Sequence, residues 1–197
     1  MKGILILKKL SVIAAVCLAV LCTLGCKNNS DDGGNYDADL KIENGVVVWC
    51  NREAEFVEIP NGVTEIGKSA FSGCANLTSV TIPNSVTHIG DHAFYCAGLT
   101  SIIIPNSVIY IEPYAFHHCT SLTSIEISSG VEFIGEFAFW DCVNLVSITI
   151  PSSVTTIERA VFPNNGLLTI HYTGTKAQWE ALGVDCQLIF LFLAVME

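Results

Sequence analysis

Apolar residues recur along the chain in units of 22 or 23 residues. Phenylalanine marks the frame, with successive spacings of 23, 22, 23 and 23 residues at Phe71, Phe94, Phe116, Phe139 and Phe162. The shorter unit lacks one residue between Phe94 and Leu99. Within a unit the apolar positions fit neither the 3.6-residue period of a helix nor a long alternation of period two. Because one unit cannot close a core around a single phenylalanine, consecutive units must stack and share one.

Each unit contains two short extended segments separated by turns. The segment Leu77–Pro83 predicts a strand whose Val80 and Ile82 point inward. A Pro-Asn-Ser turn follows, then a second extended piece around Val86 and Ile89, and then a turn that carries an Ala-Phe pair. The repeat therefore predicts a mainly β solenoid of about five turns, here called rungs, built from short strands and turns.

The two ends of the repeat must close its core, as the terminal units of a solenoid do. Residues 40–59 predict an N-terminal cap, because apolar strands flank the hairpin signal Glu43-Asn44-Gly45. Residues 173–197 predict a C-terminal cap and an apolar tail, with a small helix that begins at the capping box Thr175-Lys176-Ala177-Gln178 and stops at Gly183. The tail QLIFLFLAVME has three interpretations: a final strand, the product of a truncated or shifted reading frame, or a membrane contact too short to span a bilayer.

Four short motifs recur in register in most units: Ile-Pro, Val-x-x-Ile-Gly, Ala-Phe and Cys-x-x-Leu, as in Ile82-Pro83, Val86–Gly90 and Cys119–Leu122. In these motifs residues 40–182 resemble the BspA-like leucine-rich repeats found on surface proteins of host-associated bacteria, with the repeats proper at 60–172. The resemblance implies a right-handed leucine-rich-repeat coil that binds proteins, by adhesion to host or neighbouring-cell proteins. Local departures from the pattern predict weaker geometry at those corners: Glu112, Ser128, Glu158, Val161 and Asn165.

Residues 1–25 predict a secretory signal peptide, since Lys2, Lys8 and Lys9 precede the uncharged stretch LSVIAAVCLAVLCTLG. The stretch ends in Thr23-Leu24-Gly25-Cys26, which resembles the lipobox of bacterial lipoproteins although leucine is usual in place of Thr23. The resemblance implies that Cys26 carries a lipid. An uncleaved anchor and cleavage without lipid are the alternatives. Residues 26–39 are polar and predict a flexible tether, so we expect an exported protein anchored in the cell envelope, at the outer membrane or cell surface.

The net charge of the chain limits the kinds of molecule that it is expected to bind. Without the signal peptide, six basic residues face nineteen acidic ones, and the formal net charge is −13. This balance argues against binding to the phosphate backbone of a nucleic acid. The sequence contains no Gly-x-Ser-x-Gly elbow, phosphate loop or paired-carboxylate arrangement. The sequence therefore predicts neither catalysis nor a cofactor, and proteins are the expected partners.

Four units each contain a cysteine after the phenylalanine, and we predict that all four occupy the same repeat position: Cys74, Cys96, Cys119 and Cys142. The Cα atoms of equivalent cysteines in neighbouring rungs are expected about 4.8 Å apart, which lies within the Cα–Cα range of disulfides. Parallel side chains in a core rarely aim at one another, however, so an inward ladder of structural thiols is expected. Zinc is the alternative at the consecutive His117, His118 and Cys119, but the paired Cys-x-x-Cys spacing is missing. His88 and His92, four residues apart, read as variation of the repeat, so no metal site is predicted.

Two outward surfaces compete as the binding face. One carries small, mostly polar residues on the predicted strands, such as Ser79, Thr81 and Ser101. The other carries aromatic rings, with Tyr110 beside Phe133, and with Tyr95, His117 and Trp140 in successive rungs. Clustered exposed rings suit protein recognition. The alternative is that they pack on one another to seal a corner, in a structural or antigenic envelope component without a dedicated ligand.

Overall fold

The computed structural model describes residues 39–162 and 168–184, and it contains the predicted β solenoid of about five rungs. The signal peptide, Cys26, the tether up to residue 38, Asn165 and residues 185–197 with the apolar tail lie outside the described residues. The strands are β1 Leu40–Glu43, β2 Val46–Cys50, β3 Phe56–Glu58, β4 Glu65–Ile66, β5 Ser79–Thr81, β6 His88–Ile89, β7 Ser101–Ile104, β8 Tyr110–Ile111, β9 Ser124–Ile127, β10 Phe133–Ile134, β11 Ser147–Ile150, β12 Thr156–Ile157 and β13 Thr169–Tyr172. Lys176–Ala181 form the helix α1.

Two faces of the solenoid are made of strands. The first face is one sheet in the order β1-β2-β4-β6-β8-β10-β12, parallel except for the antiparallel pair β1-β2. The second face comprises the parallel pair β3-β5 and the parallel sheet β7-β9-β11-β13. In each rung the chain passes from the first face through the Ala-Phe turn to the second face, and then through the Pro-Asn corner to the next rung.

The core is a set of ladders in which one repeat position stacks on itself from rung to rung. The rings of Phe71, Phe94, Phe116 and Phe139 are fully buried, with successive centroids 4.8, 5.1 and 5.5 Å apart and nearly parallel planes. The inward positions of both faces are buried as well, including Val80 and Ile82 as predicted. Because each ring packs on the equivalent ring of the next rung, stability depends on contacts between neighbouring units.

Both predicted cap motifs are present. Asn44 and Gly45 have φ of 52° and 80°, which fits a type I′ hairpin turn between β1 and β2, and this hairpin extends the first face beyond β4. At the other end the Thr175 hydroxyl accepts a hydrogen bond from the Gln178 amide, while the Gln178 side chain accepts one from the Thr175 amide. Helix α1 buries Trp179, whose ring lies 5.3 Å from that of Tyr172. Among the residues described, none belongs to a helix long and apolar enough to cross a membrane.

The cysteine ladder differs from the prediction at Cys96. Three cysteines lie three residues after their phenylalanine and are buried, whereas Cys96 lies two residues after Phe94 and is partly exposed. Its φ of 54° places it at the left-handed turn position of Gly73, and Ala97 takes the inward position. The missing residue of the short rung therefore falls after the inward position, and assigning Cys96 to the ladder was wrong.

The remaining thiols lie in two groups on either side of Ala97. The Cys119 and Cys142 thiols donate hydrogen bonds to the Phe94 and Phe116 carbonyl oxygens at 3.0 and 3.1 Å. Burial raises the pKa of Cys142 to about 12 and that of Cys119 well above its ordinary value, so both are neutral thiols. The hairpin adds Cys50, also buried, whose hydrogen bond to Cys74 raises the Cys50 pKa and lowers the Cys74 pKa.

Candidate binding surface

Six aromatic side chains form a continuous plate on the Ala-Phe turn of three consecutive rungs. We define the aromatic plate as His92, Tyr95, Tyr114, His117, Phe137 and Trp140, two rings from each rung. Within one column, centroids of the stacked rings are 4.6 Å apart between His92 and Tyr114 and 5.1 Å between Tyr114 and Phe137. All six side chains are partly exposed. The plate therefore offers a ready-made aromatic surface to a partner.

Contacts within each rung join the two columns of the plate. The ring centroids of His92 and Tyr95 are 5.5 Å apart, and those of Tyr114 and His117 are 5.6 Å apart. Phe137 meets Trp140 edge to face at 5.7 Å. In the second column Tyr95 stacks on His117 at 5.3 Å. Because every ring is held by at least one other ring, the plate is preorganised for contact.

The backbone holds the first column in an unusual conformation. His92, Tyr114 and Phe137 have φ of 56°, 57° and 55°, a left-handed region that costs about 1–2 kcal/mol for residues other than glycine. The equivalent Ser69 and Ala160 are left-handed too, so the rung imposes this conformation. Glycine would adopt it without steric cost, yet the three central rungs carry large rings there. The repeat therefore sets the backbone conformation, and the choice of a large ring at this position is specific to the three central rungs.

The structure divides the five predicted surface residues into two groups. Tyr95, His117 and Trp140 belong to the plate, whereas Tyr110 and Phe133 lie on the first face with their centroids 6.2 Å apart. Tyr110 also stacks on His88 at 4.7 Å. Within residues 39–162 and 168–184, no ring contact joins this second group to the plate.

Sequence reasoning missed one complete column of the plate, comprising His92, Tyr114 and Phe137. The signal was available, because the same repeat position is aromatic in three successive units. In the sequence alone, His92 reads as variation of the repeat. The left-handed backbone that holds these rings at the surface is not visible in the sequence, which explains the omission.

The electrostatics of the plate favour a neutral His117. Burial lowers the pKa of His117, and the neighbouring His118 lowers it further, while Asp141 opposes the shift. The Nδ1 atom of His117 is buried and has no hydrogen-bond partner among the described residues. At neutral pH His117 therefore acts as an uncharged aromatic ring between Tyr95 and Tyr114.

The residues considered for zinc point in different directions. Cys119 is buried in the core, whereas His118 is exposed and its Nδ1 lies 2.5 Å from Asp141 Oδ2. In the part of the chain that the structure describes, no three His, Cys, Asp or Glu side chains converge as metal ligands. The arrangement gives no support to the zinc alternative.

The second face offers a contrasting surface. Its outward strand positions are mostly small and polar, as predicted, with single large apolar side chains at Phe56 and Ile103, which are 67% and 61% exposed. Val146, 54% exposed, directly precedes β11. Isolated apolar side chains are ordinary on protein surfaces. The plate, with its rings in mutual contact, is the stronger candidate.

The chain is similar to known leucine-rich repeat proteins in both sequence and structure. A family model described as BspA type Leucine rich repeat region matches residues 41–169 in 6 copies. The crystal structure of a T. pallidum leucine-rich repeat protein is similar with a TM-score of 0.64 and 28% identity, over 70% of each chain. A leucine-rich repeat protein from Bacteroides ovatus is similar with a TM-score of 0.57 and 32% identity, over 61% of this chain and 31% of that one.

A third similar structure is that of a bacterial antigen. The pneumococcal vaccine antigen PcpA matches with a TM-score of 0.54 and 27% identity, over 63% of this chain and 31% of the antigen. The chain thus spans about a third of the length of two of these three proteins. No curated protein matches the chain in sequence.

Proposed function

The chain belongs to the family of BspA-type leucine-rich repeat proteins, and on this premise we propose that it is an exported, lipid-anchored surface protein that binds other proteins through its aromatic plate. Adhesion to host or neighbouring-cell proteins is the role that we assign to this binding. Leucine-rich repeats of this kind are typically interaction scaffolds rather than enzymes. The partner is therefore a protein, and no cofactor takes part.

The aromatic plate is the observation that carries this proposal. Its rings are partly exposed, contact one another within and between rungs, and rest on a core of stacked phenylalanines. Tyrosine and tryptophan are enriched among the residues that dominate binding energy at protein interfaces. Rings already held in place lose little conformational entropy when a partner docks.

The anchoring part of the proposal rests on the N-terminal sequence. Residues 1–25 act as a lipoprotein signal peptide, Cys26 bears the lipid, and residues 26–39 hold the repeat domain away from the membrane. The likeness to a pneumococcal vaccine antigen supports a location at the cell surface. A surface location is required for the plate to meet proteins of another cell.

Protease treatment of intact cells tests this location. We expect externally added protease to remove the protein from wild-type cells, because the repeat domain faces the medium. Replacement of Cys26 by alanine is expected to abolish the membrane-bound pool and release the protein into the soluble fraction. Blots of washed cells, membranes and supernatant measure both effects, and a Cys22→Ala variant in the same hydrophobic stretch is the matched control.

Protection of the protein in intact cells, with digestion only after lysis, would contradict the proposal. That result would favour the second candidate function, a structural component of the envelope without a dedicated ligand. Removal of the protein with no effect of Cys26→Ala would retain the surface location and exclude the lipid anchor.

A further inference from the structure

Charge is unevenly distributed along the repeat domain. Between Lys68 and Arg159 the sequence has no lysine or arginine and seven acidic residues: Asp91, Glu112, Glu126, Glu132, Glu136, Asp141 and Glu158. The same stretch carries all six rings of the aromatic plate. A partner that docks on the plate therefore approaches a surface of negative potential.

Carboxylates lie beside the first column of rings. Asp91 Oδ1 is 2.6 Å from the Nδ1 atom of His92. The hydroxyl of Tyr114 donates a hydrogen bond of 3.5 Å to Glu136 Oε1. Each of these carboxylates is within one hydrogen bond of a ring of the plate, so a cation over the rings has an anionic group in reach.

Two further carboxylates, Glu112 and Asp141, lie within two residues of a plate ring in the chain. Asp141 directly follows Trp140 in the chain and pairs with the exposed His118. Glu112 is partly exposed and, among the described residues, has no ion pair. We refer to Asp91, Glu112, Glu136 and Asp141 together as the acidic rim.

Cations of this chain already occupy part of the acidic rim. The Lys68 ammonium lies 2.7 Å from Asp91, and the Arg159 guanidinium lies 2.6 Å from Glu136. The Lys68 and Arg159 side chains are 75% and 80% exposed, so each pair is of the weak, solvent-screened kind that another cation readily replaces. Two of the rim carboxylates, Asp91 and Glu136, thus already pair with basic side chains.

Aromatic faces and carboxylates recognise the same ligand chemistry. A lysine ammonium or an arginine guanidinium is attracted to the face of tyrosine or tryptophan, and arginine also stacks on such rings while it pairs with a carboxylate. We propose that the aromatic plate and its acidic rim bind a basic segment of the partner protein, one that presents arginine or lysine side chains. This inference rests on the proposed function and specifies the partner. A second copy of this chain is a poor occupant, because its own net charge is strongly negative.

Two probe peptides test the charge requirement on the full-length protein. One peptide carries arginines spaced by serines, and the other replaces each arginine by uncharged citrulline, which has nearly the same shape. In fluorescence anisotropy at 50 mM NaCl we expect the arginine peptide to bind at least about tenfold more tightly, and its affinity to fall at 300 mM NaCl. Equal binding of the two peptides would overturn the inference.

Matched variants separate local recognition from diffuse attraction. The rim variant E112Q/E136Q/D141N and the control variant E55Q/E58Q/E126Q, on the second face, each remove three negative charges. We expect the rim variant to lose about tenfold in affinity for the arginine peptide and the control to change less than about twofold. Equal losses would show that overall charge, and not the plate, attracts the peptide. Circular dichroism verifies that both variants are folded.

The same variants distinguish failure of this inference from failure of the proposed function. Adhesion that is lost when Tyr114, Phe137 and Trp140 become serine, but kept in the rim variant, overturns the basic partner and retains the plate. Adhesion that both variants keep overturns the plate and the basic partner together.

Discussion

Replacement of Phe116 by alanine is expected to lower the free energy of unfolding by about 3–5 kcal/mol. Phe116 is fully buried and stacks between Phe94 and Phe139, with ring centroids at 5.1 and 5.5 Å. Truncation removes contacts on both sides of the ring and leaves a cavity in the middle of the ladder. The rigid strands above and below cannot collapse to fill it, so the loss falls in the upper part of the range for large-to-small substitutions.

Urea denaturation followed by circular dichroism measures the effect of Phe116→Ala. Phe133→Ala is the matched control, because Phe133 is partly exposed on the first face and its ring contacts Tyr110 alone among the described rings. We expect the control to lose about 1 kcal/mol. Equal losses in the two variants would contradict a core built from stacked phenylalanines.

Replacement of Gly98 by alanine is the second large effect that we expect, a loss of about 3 kcal/mol in the free energy of unfolding. A Cβ atom at Gly98 would lie 2.0 Å from the carbonyl oxygen of Ala75 and 2.8 Å from its carbonyl carbon. These are backbone atoms of the preceding rung and cannot move aside as a flexible side chain does. The two rungs must therefore separate, which weakens the ladders on both sides of Gly98.

We attribute this close approach to the short rung, which also supplies a control. In the 23-residue units the corresponding position holds Ala75, Thr120 and Val143, all of which carry a Cβ atom. Insertion of asparagine after Gly98 restores the longer spacing. In that background we expect Gly98→Ala to change stability by less than about 0.5 kcal/mol in the same denaturation experiment. A full loss in both backgrounds would mean that the spacing of the rung is not the cause.

Most of the fold could be predicted from the repeat, because the spacing of its apolar residues constrains how the chain can bury them. Phenylalanines spaced 22 or 23 residues apart require rungs in register, and alternation around residues such as Val80 and Ile82 requires short strands. The hairpin at Asn44-Gly45 and the capping box at Thr175 were also predictable, since both depend on local chemistry.

The exception at Cys96 shows where such reasoning fails. The residue missing from the short unit could fall at any of several positions between Phe94 and Leu99. Alignment of Cys96 with the other cysteines assumes one of these positions, and the sequence does not test that assumption. The backbone decides it, because the inward position lies three residues after phenylalanine in the four rungs where that position is described.

The candidate surface was only half predictable, for a different reason. Tyr95, His117 and Trp140 follow buried phenylalanines directly, so their outward direction can be inferred from the ladder. His92, Tyr114 and Phe137 lie in a turn whose φ is positive, and sequence patterns for large residues do not indicate that conformation. Tyr110 and Phe133 align with one another as expected, but they belong to the first face.

Adhesion of cells that display matched variants shows whether the aromatic plate is the binding surface. The plate variant replaces Tyr114, Phe137 and Trp140 by serine. The control variant replaces Phe56, Ile103 and Val146, three exposed apolar side chains on or next to the second face, by serine as well. Protease shaving measures how much of each variant is exposed at the cell surface, and strains with equal amounts are compared. The cells that adhere to immobilised extracellular proteins are then counted. We predict that the plate variant loses at least about tenfold in adhesion and that the control matches wild type. Full adhesion by the plate variant, or an equal loss in the control, would show that the plate is not the binding surface.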